Sequence, residues 1–183
     1  AYIGGHPMAG KERGGFTAAT DDLYEGASMI LTPDKRTDMR LLETLKAFFL
    51  DLGFAGLTFS TPEEHDRIIA FTSQLAHIVS SAYVKSPEAQ KRRGFSAGSF
   101  QDMTRVAKLD PDMWTDLMGL NAPALSQVIR RLEENLHAYR IALDNRDRER
   151  LHAKLTYSSN RKRRINLPGS GQIPLSGEGS AKR

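Results

Sequence analysis

The chain has 183 residues, 39% of them hydrophobic and 26% charged, and a formal net charge of +4. This length allows one domain plus part of another, and the composition is that of a globular chain rather than a disordered one. Because the sequence contains no cysteine, it excludes disulfides, cysteine-ligated zinc and a thiol nucleophile. No run approaches the roughly 18 apolar residues that span a bilayer, and the N-terminus lacks the layout of a signal peptide, so we expect a cytoplasmic protein with no membrane partner.

Short apolar runs bounded by glycine or proline predict strands near the N-terminus. The three runs are Tyr2-Ile3, which leads into Gly4-Gly5, Ser28–Thr32, which ends at Pro33, and Leu57–Phe59. Between the last two, apolar residues recur at three- and four-residue steps from Thr37 to Leu52, which predicts a helix with one buried face that Gly53 ends. These elements are typical of the end of an α/β domain.

From Thr61 onward the pattern is almost entirely helical. The run Thr61-Pro62-Glu63-Glu64 combines a capping hydroxyl, a proline at the first helical position and a glutamate at the third, and it predicts a helix that continues towards Val84. Ser86-Pro87-Glu88 and Asp110-Pro111-Asp112 repeat the cap and the proline. Between them the sequence predicts a loop over Gly94–Ser99 and then a short helix.

A long amphipathic stripe runs from Leu125 to Leu143 and extends to Leu155, with a break expected near Asn145. A small helical bundle often buries such a stripe against a second copy of itself. Basic residues cluster over 161–164 and at the C-terminus, and the composition turns rich in glycine, serine and proline from Asn166 onward. We expect a solvated basic tail without regular structure and no nucleic-acid partner.

Five histidines could exchange protons near neutral pH. His6 follows two glycines at the end of a predicted strand, where α/β proteins place ligand-contacting groups, so a catalytic and a structural role both stay open. His77 lies among apolar neighbours, which favours a core or interface histidine, and His65 is expected to stabilise the start of its helix. His137 and His152 lie among charged residues and are expected to be solvated. No pair has the spacing of a zinc motif, so we expect no metal site.

Asp102 and Arg105 stand three residues apart and therefore share one face of the predicted short helix. On an exposed face the pair stabilises the helix by only roughly a few tenths of a kcal/mol, whereas at a cleft the guanidinium would clamp a carboxylate. Trp114, the only tryptophan, is by default a core residue. The glycine-rich segment 4–15 matches neither the P-loop nor GxGxxG, so it is weak evidence for a phosphate site.

Four segments occur in the order and approximate spacing of the prephenate dehydrogenases. They are HPMAGKE at His6–Glu12, LYEGASMILTP at Leu23–Pro33, TSQLAH at Thr72–His77 and SFQDMTRVAKLDPDMW at Ser99–Trp114. From about Tyr2 to Ser159 the chain resembles the C-terminal portion of that family. The combination of segments is specific, although no single segment is.

The resemblance implies a mostly α fold. An all-helical dimerisation and substrate domain over 62–160 would follow the last strands and helix of a Rossmann-type α/β domain over 1–61, and the basic tail would occupy 161–183. The GxGxxG of the family's nucleotide-binding half is absent from the sequence, so the cofactor-binding residues stay unknown. We therefore expect these residues alone to lack dehydrogenase activity. The resemblance also implies a homodimer.

The implied reaction is the NAD- or NADP-dependent oxidative decarboxylation of prephenate to 4-hydroxyphenylpyruvate in tyrosine biosynthesis, or of arogenate to tyrosine. By position, His6 corresponds to the family's catalytic histidine, which takes the proton of the ring hydroxyl while hydride leaves for the nicotinamide. Arg105 corresponds to the arginine that grips a substrate carboxylate. Glu12 and Asp102 correspond to acidic residues that form an ionic network with that arginine. His77 corresponds to a histidine that faces the substrate. Trp114 corresponds to a residue at the wall of a site built by the dimer.

One departure from the family's pattern concerns its SHLPH segment, which reads SQLAH over Ser73–His77 and leaves the role of Gln74 open. The alternative function is a non-catalytic helical dimerisation or binding module with a basic tail. Clustering of His6, Glu12 and Arg105 around one cleft, together with Asp102, would support the enzyme. Scattered exposed positions would support the binding module.

Overall fold

The computed structural model describes residues 2–11, 15–95 and 97–166 of the chain. Within them three strands and seven α-helices follow one another: β1 Gly4–Pro7, β2 Ser28–Thr32, α1 Met39–Asp51, β3 Gly56–Phe59, α2 Pro62–Ile69, α3 Leu75–Val84, α4 Gly98–Thr104, α5 Pro111–Leu120, α6 Ala122–Asp144 and α7 Arg148–Ile165. Helix therefore predominates and the sheet is small, as the sequence predicts. The chain divides into two compact units, Ala1–Ile129 and Arg130–Arg183.

The described strands form one sheet in the order β1-β2-β3. β1 pairs antiparallel with β2, with His6 opposite Ile30, and β2 pairs parallel with β3, with Ile30 opposite Thr58. The central strand carries the core, because Met29 and Leu31 are 7% and 3% exposed. The prediction of a strand over Ser28–Thr32 is confirmed at both ends, and the third predicted strand is confirmed as β3.

The predicted first strand, Tyr2-Ile3, is wrong, because the strand lies over Gly4–Pro7 and contains both glycines. Glycine serves here as a spacer rather than a strand breaker. A Cβ atom on Gly5 would lie 2.7 Å from Cε of Met29, so a larger residue at this position would force the buried Met29 side chain to move. His6 consequently lies within the strand and not beyond its end.

α1 forms as predicted, with the Asp38 side chain accepting from the backbone N–H of Arg40 at its start and Gly53, at φ 94°, just past its end. Two of its residues, Leu45 and Phe49, pack on the cluster formed by Met29, Leu31 and Phe54. The predicted buried face is only partly buried, since three of its residues are 36–53% exposed: Leu41, Phe48 and Leu52. The sheet is too narrow to cover the whole apolar stripe.

The helix predicted from Thr61 towards Val84 forms as one helical run from α2 to α3. Its middle part, Ala70–Gln74, is π-helical instead of α-helical. Its predicted cap is confirmed, because Thr61 Oγ1 accepts from the Glu64 N–H at 3.2 Å. The π-helical segment was not predicted, and it ends on the buried residue Gln74.

Gln74 has a structural role that the sequence left open. Its Nε2 donates to the Leu117 carbonyl at 3.2 Å, and its Oε1 accepts from Asn121 Nδ2 at 2.8 Å. Asn121 Nδ2 also donates to the carbonyl of Asp66 at 2.9 Å. The side chains of Gln74 and Asn121 together therefore join the end of α5 to α2.

The two later proline signals have different outcomes. Asp110 caps α5, because its carboxylate accepts from the N–H groups of Asp112 and Met113. At Ser86 the proline starts only a 3₁₀ helix over Pro87–Lys91. The Ser86 hydroxyl there donates to the Glu88 carboxylate and caps no backbone N–H.

The long helical pattern breaks near Asn145 as predicted, with Arg146 at φ 51° between α6 and α7. Residues 161–164, expected at the start of the tail, lie inside α7, and the rest of the predicted tail, 167–183, lies outside the described residues. None of the described helices has the length and apolarity needed to cross a membrane.

We predict that Gln74→Leu lowers the free energy of unfolding by about 1–3 kcal/mol, because it removes the partner of the Leu117 carbonyl and of the Asn121 amide. Denaturant unfolding measures the change. Gln101→Leu is the matched control, because Gln101 is exposed on α4 and should change stability by less than about 0.5 kcal/mol. Equal losses in the two variants would contradict the assignment.

Candidate functional site

Two histidines and an aspartate form a hydrogen-bonded array where β1 meets the first turns of α2. His6 Nδ1 lies 2.8 Å from His65 Nε2, and His65 Nδ1 lies 2.9 Å from Asp66 Oδ1. The two imidazole rings meet edge to face, with centroids 5.1 Å apart and planes at 65°. We call this the His6–His65–Asp66 array.

The sheet and one helix cap bring the array together. β2 and β3 are parallel and end side by side, and the chain leaves β3 with the Ser60 N–H donating to the Leu31 carbonyl at 3.0 Å. Thr61 then caps α2, so that the first turns of this helix lie beside β1. A residue at the second turn, His65, can therefore reach the edge strand that carries His6.

His6, His65 and Asp66 line a cavity of about 220 Å³. The other lining residues are Tyr2, Gly4, Gly5, Ile30, Thr32 and Pro62. This volume is below the roughly 300–1,000 Å³ of a site for a whole drug-sized ligand, so the cavity suits one ring or another part of a larger ligand. Within the described part of the chain, no protein atom is hydrogen-bonded to Nε2 of His6.

Burial lowers the pKa of His6 below the usual value of about 6.5, and the charge of the adjacent His65 lowers this pKa further. Both effects disfavour the imidazolium form. At neutral pH the ring of His6 is therefore neutral, and one of its two nitrogens carries a lone pair that can accept a proton.

His65 was expected to stabilise the start of its helix, and this expectation is wrong. Thr61 makes the capping hydrogen bond, whereas the ring of His65 binds His6 and the side chain of Asp66. The signal that could have revealed this contact is positional, because His65 lies one turn past the cap of a helix that directly follows a strand of the same small sheet as His6.

His77 and Trp114 form a second group. The His77 ring donates through Nδ1 to the Val106 carbonyl at 3.1 Å, and its centroid lies 4.0 Å from that of Trp114. One turn further along α3, Ser80 Oγ donates to the Met103 carbonyl at 2.8 Å. α3 thus anchors the segment that leads from α4 to α5, and both rings of the group are half-buried.

Asp102 and Arg105 are both exposed, and Arg105 is the residue that ends α4. Over the described residues no ion pair joins the two, because α4 is short and solvent competes for both side chains. Glu12, the third predicted member of the network, lies outside the described residues. The structure thus gathers His6 with His65, and His77 with Trp114, without a hydrogen bond between the two groups in the described ranges.

A larger cavity of about 790 Å³ lies among the 3₁₀ helix after α3, the following loop and α4, and the sequence analysis missed it. Aromatic rings of Tyr83, Phe95 and Phe100 line it together with two cations, Lys91 and Arg92. The Arg92 guanidinium lies 4.9 Å from the centroid of the Phe100 ring. Across the described ranges no three histidine, aspartate or glutamate side chains gather in a way that could hold a metal ion.

We predict that NMR titration of His6 gives a midpoint below about pH 6.5, since burial and the charge of His65 both favour its neutral form. Because the unfolded chain then binds this proton more readily than the folded one, stability should fall as the pH drops below about 6.5. His6→Asn should lose less stability than the parent over the same pH range. A midpoint above 6.5, or a steeper loss in the variant, would contradict this.

Two family models match the chain, the nucleotide-binding domain of prephenate dehydrogenase over 1–55 and its dimerization domain over 61–157. The prephenate dehydrogenase of Bacillus subtilis is 31% identical over 181 residues, which are 94% of this chain and 48% of that protein. The cyclohexadienyl dehydrogenase of Zymomonas mobilis is 34% identical over 149 residues, which are 78% of this chain and 50% of that protein. The chain spans about half the length of the curated relatives it matches.

Solved structures show the same similarity. An arogenate dehydrogenase from Synechocystis has a TM-score of 0.77 at 26% identity, covering 90% of this chain and 61% of that one. A prephenate dehydrogenase from Aquifex aeolicus, in complex with hydroxyphenyl propionate and NAD+, has a TM-score of 0.75 at 33% identity, covering 90% of this chain and 59% of that one. Sequence models and structures thus agree, and the chain belongs to the prephenate dehydrogenase family.

Proposed function

We propose that the chain supplies the proton-accepting histidine and the substrate-binding residues of a prephenate dehydrogenase. The reaction is the oxidative decarboxylation of prephenate to 4-hydroxyphenylpyruvate, and arogenate is the alternative substrate for the same chemistry. The observation that carries the proposal is the environment of His6. Its ring lines a cavity, its pKa is lowered, and within the described residues its Nε2 has no hydrogen-bond partner.

His6 acts as a general base in this proposal. Its neutral Nε2 accepts the proton of the ring hydroxyl as hydride leaves the carbon that bears it. Loss of the ring carboxylate as carbon dioxide then makes the ring aromatic, and His6 returns the proton to the phenol oxygen. Because aromatisation drives the reaction, the protein mainly has to align the reactants and move this one proton.

NAD or NADP, when bound, supplies the acceptor for the hydride. Gly4 and Gly5 line the cavity beside His6, and because they lack side chains they would leave room there for the nicotinamide ring. The described residues contain no glycine-rich turn at a helix N-terminus that could cradle the pyrophosphate. In this proposal the described residues contribute to binding at the nicotinamide end.

Arg105 binds a substrate carboxylate in this proposal, with Asp102 and Glu12 as its acidic neighbours. His77 faces the substrate, and Trp114 lies at the wall of a site built by the dimer. The guanidinium of Arg105 is exposed, and no carboxylate in the described part of the chain takes it up as an ion pair. It therefore keeps all its donors available for a bidentate contact with an incoming carboxylate.

The chain functions as a homodimer in this proposal, assembled through the helices after Thr61. The match to a dimerization domain over 61–157 supports this assembly. So does the exposure of large apolar residues on the helices, which a partner subunit would cover: Phe71, Leu117, Leu120, Leu136 and Leu143 are 43–85% exposed.

A non-catalytic binding module is the second candidate. It is favoured by one observation, the exposure of Asp102 and Arg105 without an ion pair between them in the described residues. The two candidates differ in what His6 does, because a binding module needs no proton acceptor in the cavity. Kinetics of His6 and Arg105 variants therefore separate them.

In the intact enzyme, His6→Asn should lower kcat by roughly a hundredfold or more with little change in KM for prephenate, because asparagine keeps a similar shape but cannot take the proton.

Arg105→Ala should instead raise KM far more than it lowers kcat, since a carboxylate grip binds ground and transition states alike. Its loss should cost about 2–4 kcal/mol, or roughly thirty- to a thousandfold in kcat/KM. Steady-state reduction of NAD+ measures both, and the reverse pattern would refute this division of roles.

Sedimentation should find a dimer at micromolar concentration, and Leu136→Glu should convert it to a monomer by placing a charge on the covered face. Phe16→Glu is the control, because Phe16 is 96% exposed and lies outside the helices after Thr61. A parent protein that sediments as a monomer would contradict the proposed assembly.

A further inference from the structure

We propose that His65 and Asp66 are positioning residues that fix the tautomer of His6, with the proton on Nδ1 and the lone pair on Nε2. This inference rests on the proposed function, because it assigns the nitrogen with which His6 acts. It uses the one feature of the site that no sequence pattern indicated, the contact of His6 with a second histidine.

The Asp66 end of the array sets the direction of its hydrogen bonds. An ionised carboxylate can only accept hydrogen bonds, so the 2.9 Å contact between Asp66 Oδ1 and His65 Nδ1 places a proton on that nitrogen. The carboxylate of Asp66 is more than half exposed, so water also solvates it. His65 therefore donates through Nδ1 to Asp66.

When His65 is neutral, it carries one N–H and one lone pair, and with its proton on Nδ1 the lone pair lies on Nε2. His6 Nδ1, at 2.8 Å from this atom, must then carry the proton and donate it to His65. The second nitrogen of His6, Nε2, keeps its lone pair. Of the two neutral tautomers of His6, the array thus selects the one that offers Nε2 as the base.

The same geometry opposes double protonation. If both imidazoles were charged, each ring nitrogen would bear a hydrogen, and the 2.8 Å contact would place two donors against each other. Two other side chains that could carry charge line the cavity around His6, Asp66 and Tyr2. Protonation of both imidazoles would therefore break the hydrogen bond between them.

The array has a rigid support. The backbone carbonyl of Asp66 accepts from Asn121, which is itself held by the buried amide of Gln74. The two histidine rings also contact each other edge to face, which restricts their rotation. A fixed ring orientation is what the selection of one tautomer requires.

Asp66→Asn tests the proposal in the intact enzyme. An asparagine amide can donate to His65 Nδ1, so the array can run in the reverse direction and put the proton on Nε2 of His6. We expect kcat to fall roughly ten- to a hundredfold, with KM for prephenate changed less than about threefold. Asp116→Asn, an exposed position on α5, is the matched control and should leave both unchanged.

A pair of His65 variants separates positioning from packing. His65→Gln offers an oxygen that can accept from His6 Nδ1, whereas His65→Leu fills similar space without any acceptor. The glutamine variant should retain most of kcat, and the leucine variant should lose roughly tenfold or more. Equal losses in the two variants, with both folded, would overturn the proposal.

The tautomer itself can be read without turnover, from the ring 15N chemical shifts of His6 in the intact protein above about pH 7. We expect the proton on Nδ1 in the parent and a shift towards Nε2 in Asp66→Asn. A proton on Nε2 in the parent overturns the inference. The expected tautomer in a protein that does not oxidise prephenate would leave the inference in place and reject the proposed function.

Discussion

The hydrogen bond between His6 Nδ1 and His65 Nε2 is the contact on which the candidate site depends, because it joins an edge strand to the first turns of a helix. Each partner is placed by a different constraint. Two glycines let β1 pack closely on the central strand, and a threonine cap starts α2 beside it.

Local signals were sufficient where one residue decides the conformation. The Thr61 and Asp110 caps and the strand ended by Pro33 could be predicted, since each depends on side-chain chemistry within four residues. The place of the Gly4-Gly5 pair within β1 could not be predicted, because the side-chain atoms that crowd the two glycines belong to the neighbouring strand. The same limit applies to the π-helical segment after Ile69, whose buried amide is held by α5.

The site residues divide in the same way. His6 could be singled out from its position after two glycines, whereas its partner His65 could not, because 59 residues separate the two in sequence. Arg105 and Asp102 share a helix face by spacing alone, yet spacing does not make an ion pair when both side chains are in water. Half-buried groups such as His77 and Trp114 instead find fixed partners, because burial penalises an unsatisfied polar atom.

The buried amide of Gln74 also has an energetic consequence for any attempt to redesign this part of the protein. Gln74 and Asn121 satisfy each other, and Asn121 in turn holds the backbone of Asp66, so the three positions form one thermodynamic unit. Substitutions at Gln74 and Asn121 are therefore non-additive, and the coupling energy of a double-mutant cycle is the quantity that describes them. An apolar pair of matching shape at both positions leaves neither side-chain amide stranded, yet it still removes the donor to the Leu117 carbonyl.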